Sequence, residues 1–555
     1  MKKIGSALAA ILLIAIVITG CFGNVGPAES GSAPTQASTA PGTAASTQPT
    51  TAPQTEAPKE PTNLSFFSWL NSKSALAVTS YDDVRSMQML EEVFNVDIEW
   101  LHPPIGQETE QFNLMVASQD LPDMIYWPWQ NAYAGGPGKA VADGVIIQIN
   151  EYIDKASALS AVFEKYPDAK KQSMTNEGIL YMFPCLAEAC LYPEYQKFTY
   201  YVGPTYRRDL ADSLEIQQPV TMDDWYNMLT AFKGISDDFI PYTCTMSFGN
   251  DHSIYKLCAP FGVLAGFYLE DGGINYGLLS ERFKSYVETM AKWYAEGLID
   301  KDFLANDSNA FRAKITNGDV GAFIGSLNGN YTTFSKTMET TVPEAHLSPI
   351  PWPTGEAGSF TAQDDVNIIV SGGWGAAITP QSSNIELCVA LLDYGYTDEG
   401  RDLLNLGVYG ETYTRDSTGK IVWTEETAAE MNEKGNDFVL GREAFAYTSS
   451  WATLQSIEMT TAFPVYGEQL QARDNWGAAS PALIVPPITP TVEEASALAD
   501  IMNRVITYRD EMVGKMIMGQ VPLSDYDTVV ANLNEMGIQD ALDIQNRALE
   551  AYNAR

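Results

Sequence analysis

Acid–base chemistry has few candidates in this chain. Its three histidines, His102, His252 and His346, are scattered and form no metal-ligand spacing. It has no Gly-x-Ser-x-Gly turn and no His-Glu-x-x-His run. With 70 Asp plus Glu, two carboxylates close in sequence carry no weight as a hydrolytic pair. The chain offers instead flat rings beside polar side chains. Trp69 stands near Asn71, Trp127 near Trp129, Trp374 in a Gly-Gly-Trp-Gly run and Trp476 in Asp-Asn-Trp-Gly. Arg207 and Arg208 are adjacent, and Asn328 and Asn330 flank a glycine. Rings of this kind cover the apolar face of a ligand, and the amides and guanidinium groups replace the hydrogen bonds its rim gives up to water. Each has a structural alternative. The tryptophans can close a core, Arg207 or Arg208 can pair with Asp209, and the asparagines can make turns. Trp225 and Trp293, on amphipathic helices, read as core. The adjacent Asp364 and Asp365 read as solvated surface.

The elements that position these residues follow from periodicity. Residues 64–69 form an apolar run of strand type, 82–94 carry a helical stripe, 96–100 alternate, 107–118 are helical and 124–127 are again a strand. Strands alternating with helices imply βαβ units and a mainly parallel sheet. Trp69, Asn71, Trp127 and Trp129 then fall at strand carboxyl ends, where open α/β sheets collect ligands. Further on, helices are expected at 221–232, with a capping-box start, and at 281–296, 311–316 and 386–394. Strands are expected at 320–324, 366–370 and 375–378. Three helices close the chain, over 491–519, from Ser524, and over 539–552. No internal repeat is present.

Composition bounds the remaining classes. The chain has 555 residues, 45% of them hydrophobic, with a net charge of -37. That length implies more than one core. That charge excludes a nucleic-acid footprint and makes the folded body repel an anionic membrane. The amino terminus is an address. Lys2 and Lys3 precede an apolar run from Ile4 to Ile18, which is signal-peptide length and short for a membrane span. Residues 22–62 are rich in Pro, Ala, Thr, Ser, Gly and Gln and cannot bury a core. They read as a tether with its ends ~35 Å apart if flexible. Beyond Cys21 five cysteines remain. Cys185 and Cys190 are close enough to bridge; otherwise these are small buried hydrophobes.

Ile18-Thr19-Gly20-Cys21 resembles the bacterial lipobox. The body resembles the extracellular solute-binding proteins of carbohydrate ABC importers, in the large lipoprotein branch common in Gram-positive bacteria. The resemblance rests on the order of several segments: 117–123 (Ala-Ser-Gln-Asp-Leu-Pro-Asp), 142–150, 206–210 with 224–226, 313–318, 397–400 and 536–538. It covers Asn63 to Arg555. It implies an α/β, two-lobed periplasmic-binding-protein-like type II fold with a helical C-terminal region. The expected divisions are a signal peptide at 1–20 and a lipidated Cys21 with its tether at 21–62. Lobe one is expected at 63–203 plus 350–450, and lobe two at 204–349 plus 451–555. It implies a monomer on the outer face of the cell membrane, anchored through lipid on Cys21. Such a protein takes an oligosaccharide between hinged lobes and delivers it to ABC permease subunits, without enzyme activity, cofactor or nucleic acid. Peptide binding, a sensory or adhesive role and a secreted glycosidase are the alternatives. The ligand set implied is Trp69, Asn71, Trp127, Trp129, Arg207, Arg208, Asn328, Asn330, Trp374 and Trp476, with no metal.

Overall fold

The computed structural model describes residues 60–555, apart from 71–73, 248, 434–445, 447–450 and 463–464. Cys21, the segment before Glu60 and Asn71 lie outside the described residues. Those described belong to one unit, Glu60–Arg555.

Fourteen strands are described. They are β1 Thr62–Phe67, β2 Val96–Leu101, β3 Met124–Trp127, β4 Phe183–Ala187, β5 Val202–Arg207, β6 Ile240–Tyr242, β7 Phe267–Glu270, β8 Gly273–Tyr276, β9 Val320–Ser326, β10 Leu347–Pro349, β11 Val370–Ile378, β12 Tyr413–Arg415, β13 Ile421–Trp423 and β14 Leu454–Gln455. They build a six-stranded sheet in the order β14-β4-β11-β3-β1-β2, a four-stranded sheet in the order β10-β5-β9-β6, and two hairpins. In the first sheet β1 pairs in parallel with β2 and β3, and β14 with β4. β11 runs antiparallel between β3 and β4. The alternating pattern of the first 65 described residues thus gives the parallel half, and one late strand is inserted against it. All four residues of β3 are buried, as a strand covered on both faces requires.

Helices form where sequence signals are strong. Arg85–Phe94 ends at Asn95 in the left-handed region (φ 49°), a C-terminal stop that asparagine tolerates. Thr221 and Asp224 form a reciprocal capping box at the start of Met222–Lys233, and Thr491 and Glu494 do the same for Val492–Ile517. The last helices are Tyr526–Glu535 and Ile538–Ala554.

Each sheet has its own core. One is built from Leu64 to Leu186 and returns with Ile369 to Leu454. The other runs from Tyr200 to Val366 and returns with Ala472 to Ala541. Ile350, Trp352, Ala362 and Val366 pack in the second core, so the chain crosses back near 363–369, downstream of the expected position at 350. One sequence reading changes and one open alternative closes. Residues 366–369 are not strand, because they form this crossing; β11 is a single strand from Val370. Cys185 and Cys190 do not bridge. Neither joins a disulfide, and the Cys190 thiol donates to Ile368 O at 3.3 Å.

Candidate functional site

The connections between the two cores define the site. From the carboxyl end of β4 the chain crosses over 188–201 to the amino end of β5. It returns over 363–369 to the amino end of β11, and leaves again after the carboxyl end of β14. The first two crossings begin and end at one edge of each sheet. In the first sheet that edge holds the carboxyl ends of β1, β2, β3, β4 and β14. In the second it holds those of β6 and β9, since Val202 at the start of β5 pairs with Ser326 at the end of β9. The carboxyl ends of both sheets therefore meet across the crossings, which is where an open α/β sheet places a ligand.

The first wall is aromatic. Trp69 follows β1 and Trp374 lies in β11; both are half-buried, with ring centroids 4.8 Å apart. Trp374 also stacks on Tyr126 at 5.3 Å and meets Trp127 edge-on at 6.3 Å. A bulge puts it there. The β11–β4 register shifts between Val370 and Gly375, and Gly372 and Gly373 inside the shift take φ of 56° and 74°. A Cβ on Gly372 would sit 2.8 Å from Trp374 Cδ1. Glycine is needed here for both the left-handed turn and the close approach.

The second wall is polar. The Tyr201 hydroxyl donates to Asp365 Oδ2 at 2.7 Å, and Gln363 Nε2 donates to Asp365 Oδ1 at 2.8 Å. Gln363 Oε1 accepts from the N–H groups of Tyr201 and Val202 at 2.8 and 3.0 Å, which fixes the crossing strand. Lys256 Nζ donates to Ala362 O at 2.8 Å and lies 3.6 Å from Asp364. Burial lifts the carboxyls of Asp251 and Asp365 above their usual range and pushes the Tyr201 phenol well up. Yet Tyr201 keeps 39% of its surface accessible. Asn330 folds back over Gly325, its Oδ1 accepting from Ser326 N–H and Oγ–H at 2.7 and 2.9 Å. Asn328 Oδ1 accepts from Gln469 Nε2 at 3.1 Å. Both lie in the turn Leu327–Thr332 after β9.

The structure redistributes the expected ligand set. Trp69 and Trp374 stand together at one edge, and Asn328 and Asn330 at the other. Trp127, Trp129 and Trp476 are corrected to core residues, being 3%, 0% and 0% exposed. Trp127 stacks on Phe112 at 4.2 Å, and Trp129 Nε1–H donates to Ile125 O. Trp476 Nε1–H donates to Pro204 O and Ile350 O. Arg207 and Arg208 are also corrected. They sit at the far end of β5, where Arg207 pairs with Leu347 of β10. The Arg207 guanidinium is buried in a two-bond pair with Asp209 at 2.8 and 2.7 Å. Arg208 leans on Glu468 at 3.4 Å. Asp365, read as solvated surface, is half-buried and bonded in the wall, while Asp364 is exposed as expected. Sequence reading missed Tyr201, Asp251, Lys256 and Gln363. Tyr201 and Gln363 are identified only by the crossings, and Asp251 and Lys256 only by the packing that brings them to the same edge, neither of which is legible in a local window. Among the described residues no cluster of His, Cys, Asp and Glu is arranged to hold a metal.

The family model of bacterial extracellular solute-binding proteins matches residues 87–402. The fructooligosaccharide ABC transporter substrate-binding protein FusA of Streptococcus pneumoniae is 24% identical over 372 residues, 62% of this chain and 63% of that protein. The lipoprotein LipO of Bacillus subtilis is 23% identical over 349 residues, 60% of this chain and 64% of that protein. The chain therefore spans less than two thirds of either relative. In three dimensions an alginate-binding protein superposes with a TM-score of 0.70 at 21% identity, covering 89% of this chain and 98% of that one. FusA in complex with kestose gives 0.71 at 20% identity, with 89% and 99% covered. These likenesses fix the two-lobed fold with its helical carboxyl-terminal region. With the family match covering more than half of its length, the chain belongs to the bacterial extracellular solute-binding proteins.

Proposed function

We propose that the chain captures an oligosaccharide in the cleft between its two cores and passes it unchanged to the permease of an ABC importer. What supports this reading is the contrast between the two carboxyl edges, one aromatic and one polar. Half-buried tryptophans at one carboxyl edge suit the C–H faces of a sugar ring. Hydroxyl, amide and carboxylate groups at the other suit its hydroxyls. The relatives' names agree, one transporting a fructooligosaccharide and another, in Bacillus subtilis, binding polygalacturonan and rhamnogalacturonan. Hinged closure follows from two rigid cores joined by crossing segments. The ligand must bind the closed arrangement better than the open one if it is to drive the change. Lipid on Cys21 would hold the protein at the membrane, two acyl chains anchoring far better than one. Among the described residues no helix is long and apolar enough to cross a membrane.

Thermal unfolding with a panel of oligosaccharides tests this reading. A true ligand at 100 times its dissociation constant adds about 2.7 kcal/mol of stability. Chromatography of the recovered sugar should return it intact. Release of reducing ends would contradict the reading and favour a glycosidase.

A further inference from the structure

Among the described arginines, all but one donate to a protein oxygen, either a carboxylate or a backbone carbonyl. The exception is Arg312. The chain holds 70 acids against 33 Lys plus Arg, so carboxylates are plentiful, yet this guanidinium faces a cavity instead. The cavity, of about 340 Å³, lies at the carboxyl ends of β6 and β9 and falls within the ~300–1,000 Å³ of small-molecule sites. Asn250 and Asp251 reach it from the loop after β6, and Ser326 and Asn330 from the end of β9 and the turn beyond. Ser308 reaches it from the helix that carries Arg312. This edge of the second sheet is the one that meets the first sheet across the crossings.

Packing fixes the segments that carry both charged groups. The helix Ser308–Thr316 is capped by Asp307, whose Oδ1 accepts from the N–H groups of Asn309 and Ala310 at 2.9 and 2.8 Å. Phe311 is buried and stacks on His252 at 4.3 Å, which ties this helix to the loop bearing Asp251. Asp251 is half-buried. Its carboxyl, raised by burial, feels the charges of Lys256, Asp365 and Asp364, so it belongs to the wall that holds Tyr201. Arg312 and Asp251 thus border one space without pairing with each other. A guanidinium only donates, in a fixed fork, and an ionised carboxylate only accepts. A sugar hydroxyl accepts from the first and donates to the second, so one hydroxylated unit in this space satisfies both.

We propose that Arg312 and Asp251 form a subsite for one sugar unit, Arg312 donating its fork to neighbouring hydroxyls and Asp251 accepting from a hydroxyl of the same unit. The inference rests on the reading of the cleft as a saccharide site. Calorimetric titration of the full chain with neutral and uronic di- to hexasaccharides tests it. The tightest neutral binder is then titrated into Arg312→Ala, Arg312→Lys and Asp251→Asn. Each substitution should weaken binding roughly ten- to hundredfold. Lysine should not rescue, because it keeps the charge and loses the fork. The thermal midpoint without sugar should stay unchanged in the Arg312 variants, since that side chain is exposed. Combining Arg312→Ala with Asp251→Asn should cost less than the two single losses multiplied, as two contacts to one unit require. Independent losses would overturn the shared subsite. Wild-type affinity in Arg312→Lys would overturn the fork. Wild-type affinity in Arg312→Ala would overturn the subsite and spare the saccharide reading. Binding of uronic sugars only would mean that the guanidinium meets a carboxylate, which would overturn the hydroxyl assignment. No binding of any sugar by the unaltered chain would overturn both readings.

Discussion

At the scale of single residues, the side chains that hold the second core must be kept apart from those that face the cleft. Asp300 is 2% exposed and accepts from Thr243 Oγ at 2.7 Å, Asn306 Nδ2 at 2.8 Å and Lys314 Nζ at 2.8 Å. Burial would raise its carboxyl, but the bonds from Lys314, Asn306 and Thr243 outweigh that and hold it below the usual range. Its stabilisation is therefore complete above the unfolded value of about 3.9 and is lost as pH falls through the lower folded value. Asp300→Asn should cost about 2–4 kcal/mol in urea unfolding at pH 7, because Lys314 loses its buried partner. The gap to the unaltered chain should close in strongly acidic solution. A difference under about 0.5 kcal/mol at pH 7 would contradict this role. Tryptophan shows what residue type alone leaves open. Trp374 and Trp476 sit in similar glycine-containing runs, yet one is at the cleft edge and the other is sealed beneath β5. The difference is set by long-range packing.

At the scale of elements, much of the fold was legible. Helices with a capping box or a strong apolar stripe fell within a few residues of their expected bounds, as in Met222–Lys233 and Val492–Ile517. The first βαβ units were legible because apolar strands and amphipathic helices alternate there. What escaped was β11 as one bulged antiparallel strand, since Gly372 and Gly373 interrupt its pattern and its partners lie far away in sequence. The bulge is the element that sets Trp374. Gly372→Ala should strain a left-handed residue and push on the Trp374 ring. The expected result is about 1–2 kcal/mol of lost stability and about tenfold weaker oligosaccharide binding. Unchanged affinity in that variant would mean the bulge does not position the ring for a ligand.

At the scale of the whole molecule, two cores, two sheets and connections between their carboxyl edges give a site that belongs to neither half alone. One wall is built before β4 and by β11, and the other by β5, β6, β9 and the crossings. The tryptophans of the first wall could be named from sequence, Trp69 because it ends a strand and Trp374 because glycines flank it. The carboxylates and the tyrosine of the second could not, because Tyr201 and Asp365 come together only when two crossings 164 positions apart lie side by side. The most direct test is calorimetric titration of the full chain and of Trp374→Ala with a neutral oligosaccharide taken from the panel. The account predicts saturable binding by the unaltered chain and a loss of about 2 kcal/mol, roughly thirtyfold, in the variant, with folding intact. Equal affinity of the two proteins for that sugar would contradict it.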